Sequence, residues 1–140
     1  MPPSFPFKLI TPTGVVFAGD VEEVTAHSLL GEFGVLADHI NFITSLVPGV
    51  LEAQMPDGTK RHWVVSGGLA EVKDGVLTVL ASGAEEPATL DPGSAAAELQ
   101  AAEERFSEVS FYEPEYPEVQ EALMLARAHV EAAAMKSSHR

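Results

Sequence analysis

The stretch Leu69-Ala70-Glu71-Val72-Lys73-Asp74-Gly75-Val76-Leu77-Thr78-Val79-Leu80-Ala81 decides the fold. Two short apolar-rich runs flank Asp74-Gly75, and an Asp-Gly pair suits the two positive φ angles of a type I′ turn. The stretch therefore reads as a β-hairpin. In its second run Val76, Thr78 and Leu80 alternate with Leu77, Val79 and Ala81, and both sets are largely apolar. A strand apolar on both sides belongs inside a sandwich or beneath another covering element.

The same texture extends back to Phe5. Phe5 to Ile10 ends at Thr11-Pro12-Thr13-Gly14, Val15 to Ala18 ends at Gly19-Asp20, and Val21 to His27 leads to a bend rich in glycine. Leu51 to Met55 and Lys60 to Val65 flank the turn Pro56-Asp57-Gly58-Thr59. Eight or more short strands in about 80 residues predict a compact antiparallel sandwich or flattened barrel. The bend itself is Gly31-Glu32-Phe33-Gly34-Val35-Leu36-Ala37-Asp38-His39, followed by Pro48-Gly49. Glycines there predict tight turning of the chain, displaying an acid and a histidine above packed apolar residues.

After Gly83 the period changes. Ala84-Glu85-Glu86-Pro87 reads as a linker, and Asp91-Pro92 is a helix start, an N-cap acceptor followed by proline at the first helical position. Ala95, Leu99, Ala102, Phe106 and Val109 then make a helical apolar stripe. Pro114 interrupts it, and Pro117 opens a second helix with Val119, Leu123, Ala126, Val130 and Ala133 along one face. The prediction is an αα-hairpin from 91 to about 137. Its contact residues are mostly alanine, which removes little apolar surface from water, so the hairpin must rest on the β half or on a partner. A marginal element of that kind can move.

Composition narrows the function. Of 140 residues, 21 are acidic and eight basic, a formal net charge of −13. That balance opposes binding to nucleic acid or to an anionic membrane surface. With no cysteine, disulfides, thiol catalysis and Cys-ligated zinc are excluded. No signal or transit segment and no membrane-length apolar run is seen, which predicts a soluble protein without direct membrane insertion. His27, His39, His62, His129 and His139 have no metal-ligand spacing, and neither a phosphate loop nor a nucleophile elbow occurs. Trp63 reads as core. Asp38-His39 is the one pair that could serve as a general base, without a nucleophile to act on. The sequence reads as an interaction protein with no catalytic residue, cofactor or metal. Three classes stay open: a subunit of a larger assembly, a free-standing ligand-binding β-sandwich with a helical lid, and, least supported, an enzyme using Asp38-His39.

One resemblance spans the whole chain. Gly31-Glu32-x-Gly34-Val35-Leu36, then His39, Leu46-x-Pro48-Gly49, Val65-Ser66-Gly67-Gly68-x-x-Glu71-Val72 and Val76-x-Thr78-Val79-Leu80-Ala81, in that order, closely resembles the epsilon subunit family of F-type ATP synthases, called delta in mitochondria. The resemblance implies a β-sandwich (1–86) followed by an antiparallel two-helix hairpin (87–140). It implies a non-catalytic rotor subunit of the central stalk, peripheral at the cytoplasmic side of a bacterial inner membrane. Its partners would be the gamma subunit, the ring of c subunits and, transiently, the alpha/beta catalytic head, where an extended hairpin inhibits ATP hydrolysis. Glu32 matches a family position beside the polar loops of the c ring, and Gly34, Asp38 and His39, the histidine that follows the glycine bend, are further contact candidates; Arg127, Lys136 and Arg140, with His129 and His139, would meet the acidic segment of the beta subunits. Some family members bind ATP through an Ile/Leu-Asp-x-x-Arg-Ala motif. Here Leu90, Asp91, Ser94 and Ala95 occupy it, with serine replacing the arginine that would pair with phosphate, so strong ATP binding is not expected.

Overall fold

The computed structural model describes residues 3–138, as ten strands followed by two helices. The strands are β1 (Phe5–Thr11), β2 (Gly14–Val21), β3 (Glu23–Ser28), β4 (Gly31–Leu36), β5 (Phe42–Leu46), β6 (Gly49–Gln54), β7 (Lys60–Val65), β8 (Gly68–Lys73), β9 (Val76–Ala81) and β10 (Ala84–Glu85). The helices are α1 (Pro92–Glu108) and α2 (Tyr116–Ser138). Hydrogen bonding runs β10-β7-β6-β3-β5-β8-β9-β1-β2, with β4 on β3. All pairs are antiparallel except β1 with β9. The ladder doubles over on itself, and its inner faces bury Phe5, Phe7, Leu9, Val24, Leu51, Trp63, Leu77 and Val79 in one core.

The fold-deciding hairpin forms as its turn chemistry dictates. Asp74 and Gly75 both have positive φ, 51° and 81°, and β8 and β9 pair from Gly68–Ala81 to Lys73–Val76. The Asn41 side chain accepts from the Asp74 amide at 3.0 Å, pinning the β4–β5 connection to this turn. Burial in β9 departs from expectation, however. Leu77, Val79 and Ala81 are buried, while Leu80 on the other side is 51% exposed. Apolarity on both sides marks an outer face that none of the described residues covers, rather than a doubly buried strand.

The glycine-rich bend is also corrected. Residues 31–36 are strand β4, paired along its length with β3; the turning falls before it, at Leu29-Leu30, and after it, around Asp38. Gly31 leaves the first turn at φ 116°, a conformation other residues resist. Asp38 takes φ 66°, and the His39 amide donates to the Leu36 carbonyl at 3.3 Å to close the second turn. Phe42–Leu46, between the second turn and Pro48-Gly49, is strand β5.

In α1 the predicted stripe is right: within the helix Ala95, Leu99, Ala102 and Phe106 are the positions withdrawn from solvent. Asp91 is the N-cap, accepting from the Ser94 amide at 2.8 Å. In α2 the stripe Val119, Leu123, Ala126 and Ala133 is buried, but Ala128 and Ala132, on the other side of the helix, are buried too. These join Val50 of β6, Val64 of β7, Leu90 and Ala95 in a second apolar cluster. The hairpin thus rests on the outer face of β6 and β7.

Candidate interaction surfaces

Three surfaces gather the residues that could do work. The first lies between β4 and β5, an open groove lined by Leu30, Glu32, Gly34, His39, Phe42 and Thr44, among others. Strand β4 aims Glu32 outward opposite His27, whose Nε2 is 3.9 Å from the carboxylate. His39 packs its ring on Phe42, centroids 4.9 Å apart, and Phe42 meets Phe33 edge-on at 5.9 Å. His39 Nδ1 lies 3.0 Å from the Ile40 carbonyl. A carbonyl only accepts, so Nδ1 carries the proton and spends it on the Ile40 carbonyl rather than on Asp38. The structure therefore brings Glu32, Gly34 and His39 onto one groove and leaves Asp38 exposed on the adjoining turn. At the groove's rim Leu29 and Leu30 form the tip of the β3–β4 hairpin and are 82% and 101% exposed. Hairpin tips are ordinarily polar, so two bare leucines mark a contact surface. Lying between Val21–His27 and the stretch that begins at Gly31, they carry no turn motif or apolar period that would mark them in the sequence.

The second surface is the outer face of β5, β8, β9, β1 and β2. Register aligns Ser45, Leu69, Leu80, Ile10 and Val15 in one row across five strands, with Ile43 one row away. Leu69, Leu80, Val15 and Ile43 are all exposed. The signal was present in the sequence as a strand apolar on both sides; only the register shows that neighbouring strands extend it into a patch.

The third is the helical side. Arg127 is exposed on α2 and borders a groove with His27, Ser28, Pro48, Met124 and Glu131. Lys136 belongs to α2, and its side chain lies outside the described residues. The predicted ATP-motif positions have structural partners instead. Leu90 and Ala95 are buried in the second cluster, and the Ser94 hydroxyl donates to Asp91 Oδ2 at 2.9 Å. Among the described residues no group of three or more His, Asp or Glu side chains could hold a metal ion. The histidines pair with carboxylates: His62 with Glu52 at 2.9 Å, and His129 with both Glu85 and Glu98 at 2.8 Å.

Residues 4–87 match the family model described as ATP synthase, Delta/Epsilon chain, beta-sandwich domain. The chain belongs to the ATP synthase delta/epsilon family. It is 38% identical to the ATP synthase epsilon chain of Bradyrhizobium sp. (strain BTAi1) over 105 residues, 75% of this chain and 77% of the relative. It is 37% identical to that of Geotalea uraniireducens over 127 residues, 91% of each. Among solved structures it superposes on a chain of the Euglena gracilis mitochondrial ATP synthase, in an assembly of OSCP, F1 and c-ring. There the TM-score is 0.79 at 28% identity, covering 96% of this chain and 83% of that one. A chain of the Tetrahymena thermophila mitochondrial ATP synthase central stalk and c-ring shares the fold, with a TM-score of 0.63 at 13% identity.

Proposed function

We infer that this chain is a non-catalytic rotor subunit of the central stalk of an F-type ATP synthase, linking the c ring to the catalytic head through gamma. The observation that carries the reading is the row Leu69–Leu80–Ile10–Val15, exposed at Leu69, Leu80 and Val15, on a sandwich whose family is that of the epsilon chains. A β-sheet face that leaves Leu80 half bare is unfavourable in water unless a partner covers it. In this reading gamma covers the row, and the polar loops of the c ring meet the Glu32–His39 groove, with Leu29 and Leu30 as apolar anchors and Asp38 at its edge. Rim charges such as Glu32 tune the encounter more than the affinity.

The division of labour belongs to the same proposal: residues 1–86 dock, and residues 87–140 regulate. Docked on β6 and β7, the hairpin keeps Arg127 beside the sandwich. Extended, it presents Arg127 and Lys136 to the acidic segment of the catalytic subunits and restrains ATP hydrolysis. Ser94 in place of an arginine argues against strong ATP binding. Among the described residues no helix is long and apolar enough to cross a membrane, and the proposed place is peripheral, at the cytoplasmic side of a bacterial inner membrane. A ligand-binding sandwich with a helical lid is less well supported, because Val50, Val64, Ala128 and Ala132 fill the seam such a lid would leave open. The deciding experiment is co-purification of the tagged chain from a membrane extract. Recovery of gamma and the c ring is expected, and their absence would sink the rotor reading.

A further inference from the structure

His129 occupies a seam. Three residues before it, Ala126 lies on the stripe with Val119 and Leu123; three residues after it, Ala132 packs towards the sandwich. Its side chain, 12% exposed, reaches two other elements at once. Nδ1 is 2.8 Å from Glu98 Oε1 on α1, and Nε2 is 2.8 Å from Glu85 Oε1 on β10. Ionised carboxylates only accept hydrogen bonds, so both ring nitrogens must donate, which a neutral imidazole cannot do. The arrangement therefore requires the imidazolium, and it ties both helices and the sandwich together at one point.

The rest of the interface makes that point matter. The hairpin seats on β6 and β7 through Val50, Val64, Leu90 and a set of alanines, a small apolar area to hold two helices in place. Among the described residues the charged groups that meet the imidazole are Glu85 and Glu98. From β6 and β7 come Val50 and Val64; the turn Pro87–Thr89 carries no charge; Glu86 before it is engaged by Arg61 at 2.7 Å. On its own helix the positions three and four away are Leu125, Ala126, Ala132 and Ala133.

We propose that His129, Glu98 and Glu85 form a pH-gated latch: the imidazolium docks the hairpin on the sandwich, and loss of its proton releases it. A neutral ring donates to one carboxylate and turns a lone pair on the other, so one of the two bonds becomes a repulsion. Burial alone would lower the pKa of His129, but its hydrogen bonds to Glu85 and Glu98 outweigh burial and hold it above the ordinary 6.5. The sign follows. A raised folded pKa gives a stabilisation fully present below 6.5 and lost as pH rises through the raised value. The latch is closed on the acid side and open on the alkaline side. It goes beyond the rotor reading and is a property of the isolated chain, so it can fail without that reading failing.

The native sequence has no cysteine, so spin labels at Thr13→Cys on the sandwich and Glu103→Cys on α1 report docking in the full chain. Expected is a single inter-label distance in mild acid and a second population growing several-fold as pH is raised past 6.5. In His129→Gln that growth should vanish, and in Glu98→Gln its midpoint should move to lower pH. A distance distribution unchanged with pH in the parent, or a transition retained in His129→Gln, would overturn the latch. Should His129→Gln fail to dock at any pH, NMR titration of the parent imidazole decides: a midpoint above 6.5 supports the latch and one at or below it refutes it.

Discussion

At the scale of single residues, a few side chains and one missing side chain carry disproportionate weight. Gly68 opens β8 at φ 147°, and a Cβ there would run into the Leu80 carbonyl oxygen and backbone of β9. Both strain and collision are backbone effects that no rotamer relieves. Gly68→Ala should cost on the order of 3 kcal/mol, read as a lower urea midpoint at unchanged slope. Asp91 caps α1 through the Ser94 amide and hydroxyl. Asp91→Ala should cost about 1 kcal/mol, seen as a lower thermal midpoint with loss of helical signal. Both residues stood out in the sequence, in Ser66-Gly67-Gly68 and Asp91-Pro92. The reason for the glycine, a neighbouring strand passing within contact, belongs to the fold.

At the scale of elements, the outer face of β6 and β7 is divided between packing and charge. Val50 and Val64 seat the hairpin; one pair further along the ladder, Glu52 receives His62 at 2.9 Å and Lys60 at 3.5 Å. Burial would raise the Glu52 pKa, yet the His62 hydrogen bond and the Lys60 charge together bring it below the ordinary 4.5. A lowered folded pKa gives stability present above 4.5 and lost as pH falls through the lowered value. Unfolding free energy of the parent should therefore drop more steeply in acid than that of Glu52→Gln; parallel curves would show the pair to be inert. The elements themselves were largely readable. Type I′ chemistry at Asp74-Gly75 set one hairpin, and the Asp91-Pro92 start set α1. What misled was composition. Glycines made β4 look like a bend although antiparallel pairing with β3 tolerates Gly34 on its exposed side. Alanine on two sides of α2 hid the second face, because alanine is buried only when something approaches closely enough.

At the scale of the whole molecule, exposed apolar residues collect on faces that the described residues leave uncovered. Leu80→Glu alters a half-exposed side chain outside the core, so it should change stability by less than about 0.5 kcal/mol. If gamma covers the row, the same change should weaken capture of gamma at least tenfold in a binding titration, a loss of about 1.4 kcal/mol. Equal capture by Leu80→Glu and parent would remove the row from the docking surface. The net charge of −13 opposes self-association through such a patch.

By itself the sequence determined the sandwich, the helical hairpin and the family. Turn pairs, helix caps and the period of apolar residues are local, and local chemistry selects local conformation. Only the tertiary structure decided the rest. Strand register turned Ser45, Leu69, Leu80, Ile10 and Val15, scattered over residues 10–80, into one patch. Docking of the hairpin brought Glu85 and Glu98 each to 2.8 Å from a ring nitrogen of His129, across as many as 44 positions of sequence. No spacing rule reaches that far, because the distance between such groups is fixed by how the elements pack rather than by the chain that joins them.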